Sequence, residues 1–199
     1  MPRKNQYLLF ILLFPVSFIP WILGGDFKTH AIYVSVFYIL LPVLVGKLMG
    51  FELKEFGIKL PNKTGWKLFA ALFLLSIPLS LYGTTIPAMR DYYPIFEYSG
   101  WADFFLKELI IGVVMLAHEA FFRGFLLFPL AKKNEPLAII LQDIPYTLVH
   151  LGKPGIEIPY SFVAGIVFAK IDLKGESFVP SFLLHWLGSV LFDVLCVLL

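Results

Sequence analysis

Cysteine is almost missing from this chain. Cys196 is the only one in 199 residues, which excludes an internal disulfide framework and a zinc site built from thiolates. Charge is scarce as well: Asp, Glu, Lys and Arg make up 15% of the residues, against about 25% in an ordinary soluble domain. The net charge of +2 is too small to mark a nucleic-acid surface. No G-x-S-x-G elbow is present, so an activated serine of that kind is excluded. His118-Glu119 begins an H-E-x-x-H zinc motif, but Phe122 stands where the second histidine would be. No internal repeat, low-complexity tract or linker interrupts the sequence, so one membrane domain spanning 1–199 is expected.

What fills the chain instead is apolar. Hydrophobic residues reach 59%, with 21 Phe and a mean hydropathy of +0.82. A soluble core of this length could not hide that much apolar surface, so lipid must solvate much of it. The expected fold is all-α and polytopic, with about seven transmembrane or membrane-embedded helices. Apolar stretches cover 7–23, 31–48, 67–82, 102–130, 136–151, 159–171 and 178–199. The first follows a short basic start, Arg3-Lys4, and lacks a small-residue cleavage site, so it reads as a retained helix rather than a signal peptide. The stretches 136–151 and 159–171 are short for the ~20 residues a crossing needs and read as short or tilted helices among the others. Between the second and third, residues 51–66 mix Lys54, Lys59 and Lys63 with apolar side chains and Pro61, the pattern of a segment lying on the membrane surface.

Lysine placement sets the orientation. With the N-terminus in the cytoplasm, Lys47 to Lys67, Lys132-Lys133 and Lys170 to Lys174 all fall in cytoplasmic loops. That distribution obeys the positive-inside rule. A multi-pass protein of the cell membrane is expected, its C-terminus on the opposite side.

Several ionisable residues lie where lipid should exclude them. A charge at mid-bilayer costs roughly 2.5–3.5 kcal/mol even on the lenient insertion scale, so such groups face the bundle interior and pair. Glu119 and Arg123 are four apart with the acid first, the favourable order for a helical ion pair. The pair could serve structure alone. His150 ends the fifth stretch, with Tyr146 and Asp143 on its face. His185 lies in the last stretch, followed at helical spacing by Ser189 and Asp193. At ~1.5 Å per residue, Glu119, His150 and His185 lie roughly 18, 20 and 12 Å from the cytoplasmic ends of their helices. Three groups at comparable depth could form one site.

A carboxylate beside histidines in a water-poor cavity suits water-dependent peptide hydrolysis without a covalent intermediate. Imidazole and carboxylate are also zinc ligands, so a divalent metal at Glu119, His150 and His185 stays open. So does a proton relay in a transporter, though neither duplicated halves nor paired broken helices are evident.

At these residues the sequence resembles the CPBP intramembrane proteases, which include type II CAAX prenyl endopeptidases and bacteriocin-processing or self-immunity proteins. Their pattern is E-E-x-x-x-R, then F-x-x-x-H, then H-x-x-x-N or H-x-x-x-D. His118-Glu119 to Arg123, Tyr146 to His150, and His185 to Ser189 follow that order over 102–199. The resemblance implies a membrane-embedded endopeptidase with Glu119 and His150 activating water, Arg123 orienting Glu119, and His185 at the oxyanion with Ser189 or Asp193. Its substrate would be a membrane-embedded or lipid-modified peptide, prenylated or bearing a leader or sorting signal. Two positions depart from the pattern: His118 replaces the first glutamate, and Ser189 replaces Asn or Asp. Some branches resembling this chain carry H-x-G-K-P-x-x-E, met here by His150, Gly152, Lys153, Pro154 and Glu157. In such a branch Glu119 or Glu157 would be the base. The alternative is an inactive relative acting as an immunity or adaptor membrane protein.

Overall fold

The computed structural model describes residues 4–199; Arg3 of the basic start lies outside them. Among the described residues five helices are long and apolar enough to cross a membrane: α1 (Gln6–Leu23), α2 (Phe27–Leu48), α3 (Lys63–Gly83), α4 (Trp101–Ala131) and α7 (Val179–Leu198). Two more, α5 (Glu135–Leu148) and α6 (Glu157–Gly175), complete the bundle without meeting both criteria. The all-helical membrane fold therefore holds, with five helices of crossing length and apolarity. Helix α2 starts earlier than the apolar stretch because Asp26 caps it, accepting from the Thr29 amide at 2.8 Å. Helix α3 likewise begins at Lys63, where the Asn62 side chain accepts from the Gly65 amide.

Proline shapes the apolar helices. In α2 the backbone widens to an i→i+5 pattern over Val36–Leu40, just before Pro42, and in α4 over Ala120–Leu127, just before Pro129. A proline offers no N–H to the carbonyl one turn back, and a locally wider register is one way to rehouse the freed groups. In α1, Pro20 cannot donate to the Ser17 carbonyl at i+3. The buried Tyr38 hydroxyl of α2 takes that carbonyl at 2.5 Å, as lipid-buried backbone requires.

Helix α4 is the axis. Its apolar window is 67% buried, against 6% for α3, which lies outside and packs mainly on α7. Phe121, Phe122, Phe125 and Leu126 of α4 join Leu9, Leu13, Val34, Tyr38, Tyr146 and Phe178 in one buried cluster. Large apolar side chains such as Ile22, Leu48, Leu74 and Leu109 point outward, the surface a lipid solvent favours. Helices α4 and α7 run antiparallel: Glu119 meets His185, the Gly112 backbone lies under the Trp186 ring, and Trp186 Nε1 donates to the Glu108 carbonyl at 2.9 Å.

The segment between α2 and α3 holds a short 3₁₀ turn, Leu53–Phe56, seated on α4. A reciprocal cap closes it, with Glu55 accepting from the Glu52 amide at 2.9 Å. Phe56 is buried against Phe125, ring centroids 4.7 Å apart. Gly57 ends the turn at φ +68°, and a Cβ there would collide with the Phe128 ring, so both conformation and space require glycine. At the same end Asn62 binds the carbonyls of Lys174 and Gly175, and Ser177 donates its hydroxyl to the Lys59 carbonyl. The starts of α3 and α7 and the end of α6 are thereby tied together.

Glu55 also receives Lys4 at 2.7 Å and Lys132 at 3.1 Å. Partial burial pushes its carboxyl up, but the Glu52 amide and the two lysines outweigh that and hold it at about 2. Its folded value lies below the ordinary 4.5, so its stabilisation is complete at neutral pH and fades as pH falls from about 4.5 towards 2. Amide exchange of Leu53–Phe56, corrected for intrinsic rates, should accelerate over that window in the wild type. In Glu55→Gln the segment should already exchange fast at pH 6, with no further transition.

Candidate functional site

Helices α4, α5 and α7 bring three sequence blocks to one place. Glu119 and Arg123 are fully buried, on the same face of α4 across the start of its widened stretch. Arg123 Nε lies 3.2 Å from Glu119 Oε2, an ion pair whose angle falls short of a hydrogen bond. His185 Nδ1 lies 2.7 Å from Glu119 Oε1. A carboxylate can only accept, so this ring nitrogen carries the hydrogen.

The Arg123 guanidinium is held on three more sides. Nη1 donates to Gln142 Oε1 of α5 at 2.7 Å. Its flat face covers the Tyr146 ring, 4.0 Å from the centroid, with the Phe168 ring of α6 at 5.7 Å. Such stacking suits the delocalised arginine cation better than a lysine.

His150 sits in the turn just after α5, not within the helix. Its Nδ1 faces the Tyr146 carbonyl at 2.8 Å. That oxygen has only lone pairs to offer, so Nδ1 is the protonated nitrogen and Nε2 keeps its lone pair in the neutral ring. His118 completes the group. It is 6% exposed, its Nδ1 lies 3.7 Å from Glu119 Oε1, and that nitrogen has no hydrogen-bond partner among the described residues. Its ring centroid is 5.3 Å from Tyr146, 5.6 Å from His185 and 6.1 Å from His150. Three imidazoles thus gather round Tyr146, with the Glu119 carboxylate against two of them.

The other sequence-selected residues lie elsewhere. Asp193 is eight residues beyond His185 on α7, and its buried carboxyl lies beside that of Glu108. Ser189 sits between them, half-buried. Glu157 opens α6 and pairs with Lys153 at 3.5 Å, while Lys153 also reaches the Tyr93 hydroxyl at 3.3 Å. Asp143 shares α5 with Gln142 but turns to α6, where its Oδ1 fills the space that a Cβ on Gly165 would need. Gln142 is the site residue that sequence reasoning misses. Its signal is an amide in an apolar stretch, four residues before Tyr146 and so on the same face.

The trio within ligand reach of one metal ion is His118, Glu119 and His185, all within 4.8 Å, and not the expected Glu119, His150 and His185. His150 is turned onto the Tyr146 carbonyl instead. Two imidazoles and a carboxylate are zinc-like donors. As arranged they do not fit a resident divalent cation. One Glu119 oxygen already takes the His185 N–H, the other faces the Arg123 cation, and a second cation would have to displace both.

Gly165 gives a direct test of how tightly α6 supports this group. A Cβ at that position would collide with the Asp143 carboxyl and approach the Tyr146 ring to 2.9 Å. Gly165→Ala should therefore lower stability by about 1–3 kcal/mol, the usual cost of overpacking, read as a drop in melting temperature in detergent. An unchanged melting temperature would mean that α6 yields freely.

No curated protein and no solved structure matches the chain. A family model does, the one described as type II CAAX prenyl endopeptidase Rce1-like, over residues 100–191. That match takes in Glu119, Arg123, His150 and His185 together. The family is one of integral membrane proteases, which supports a CAAX-type intramembrane protease. Residues 100–191, the stretch that holds the buried Glu119–His185 contact, are similar to the Rce1-like family.

Proposed function

We propose that this chain is an endopeptidase that hydrolyses a peptide bond of a membrane-associated substrate, lipid-modified or bearing a leader or sorting signal, using water activated inside the bundle. The observation that carries the reading is the 2.7 Å contact between His185 Nδ1 and the fully buried Glu119. It sits beside a second histidine, His150, whose Nε2 lone pair is free.

The hydrogen bonds suggest a division of labour. His150 Nε2 takes a proton from water, and the resulting hydroxide attacks the scissile carbonyl carbon. His185, as an imidazolium, donates Nδ1–H to Glu119 and offers Nε2–H to the oxyanion. The tetrahedral intermediate then collapses, the C–N bond breaks, and the proton on His150 passes to the leaving amine. In this scheme Glu119 does not touch the water. Both its oxygens are engaged, so its role shifts from base to the anion that stabilises charged His185, with Arg123 fixing it. His118 and Tyr146 wall the site, and no step needs a metal.

The lysine-bearing loops support a cytoplasmic N-terminus, because Lys4, Glu55 and Lys132 meet at one end of the bundle and Lys59 reaches Glu176 there at 2.6 Å. In intact cells, in a Cys196→Ala background, an impermeant maleimide should label Lys153→Cys and spare Lys132→Cys. The reverse pattern would invert the topology.

The reaction is tested with protein reconstituted in lipid and a panel of prenylated peptides. Wild type should cleave, and chelator should leave the rate unchanged. Glu119→Gln and His150→Ala should each lower turnover at least about 100-fold while keeping the melting temperature. Full activity in either variant would sink the assignment. Loss of a cellular phenotype without any cleavage would favour a binding role for the same site.

A further inference from the structure

We infer that Gln142 is a positioning residue for this site, acting through Arg123; the inference rests on the hydrolase reading above. Arg123 is the largest fully buried side chain among the described residues, and two polar groups hold it. One is Glu119, at 3.2 Å from Nε; the other is Gln142 Oε1, at 2.7 Å from Nη1. Among the described residues Nη2 has no partner, so Gln142 is the hydrogen-bonded anchor at the far end of the guanidinium, opposite Glu119 at Nε. Stacking on Tyr146 fixes the plane, and a half-turn about Nε–Cζ, which exchanges the two Nη groups, has to break the Gln142 bond.

Gln142 is itself locked. Its Nε2 donates to the Ile139 carbonyl one turn back at 3.0 Å, which forces Oε1 towards Arg123 and forbids the flipped amide. The side chain is completely buried, so water cannot substitute for it. Neutrality matters equally. A carboxylate here would put a second anion beside Glu119 within hydrogen-bond reach of Arg123, whereas the neighbouring carboxyl, Asp143, is turned towards Gly165. The chain Ile139 carbonyl, Gln142, Arg123, Glu119, His185 thus runs unbroken from the α5 backbone to the imidazole that faces substrate. Its effect is to orient, since Gln142 touches neither water nor peptide.

Two variants separate orientation from packing. Gln142→Met keeps the volume and removes the acceptor; Gln142→Glu keeps an acceptor and adds charge. With full-length protein in micelles, ¹⁵N NMR of the Arg123 guanidinium reads the anchor directly, and kinetics on the cleaved peptide read the consequence. In wild type the two Nη signals should be distinct. In Gln142→Met they should merge by rotation, with kcat down on the order of 10-fold and KM within about twofold. Gln142→Glu should keep the signals distinct yet still lower kcat. Unchanged Arg123 signals in Gln142→Met would overturn the proposal, as would wild-type kcat in that variant. A fall in melting temperature with kcat and Arg123 signals both unaltered would reduce Gln142 to a packing residue. If wild type cleaves nothing, the hydrolase reading fails on its own while the NMR arm still decides the anchor.

Discussion

The structure turns on one buried ion pair. Glu119 and Arg123 are both fully buried in a bundle that lipid, not water, surrounds. Charges so placed persist only if each finds its counter-charge and enough hydrogen bonds, and removing one partner leaves the other uncompensated. Everything near the pair meets that demand. His185 from α7, Gln142 and Tyr146 from α5, and Phe168 from α6 each supply one contact. Four helices are drawn together around two charges on α4, and one of the groups that satisfies them, His185, is also used by the proposed chemistry.

The pair and the helical fold can be read from residue types alone. A Glu and an Arg four apart in an apolar run announce a shared face, and His150 and His185 at matching depth announce a meeting. What cannot be read is direction. Asp143 and Asp193 lie on spacings that point at the histidines, yet one turns to Gly165 and the other lies beside Glu108. Helix–helix packing decides such choices, and one helix's periodicity does not contain it. Gln142 escapes notice for the opposite reason: a neutral amide carries no membrane penalty large enough to stand out beside charged neighbours. Apolar content alone also fails to separate a crossing helix from an embedded one. Helices α5 and α6 are apolar in sequence, but five others combine the length and hydropathy of a crossing.

Tautomers carry the functional content. Two histidines of identical chemistry differ in what their Nδ1 meets, a carboxylate for His185 and a backbone carbonyl for His150. An anion supports a charged ring, whereas a carbonyl fixes the orientation of a neutral one. Roles as acid and base can therefore be distributed between like residues by their neighbours, with His118 filling the space between them.

Helix α3 adds a mechanical element. It is the least enclosed of the five crossing-length helices, contains Pro78, and leans chiefly on α7. Membrane thickness acts on a helix of this kind through its tilt, at a modest cost per ångström of mismatch. Whatever tilt the bilayer imposes on α3 is delivered to α7, and α7 carries His185. Lipid chain length thereby becomes a variable in the geometry of the His185 imidazole, roughly two turns inside the protein.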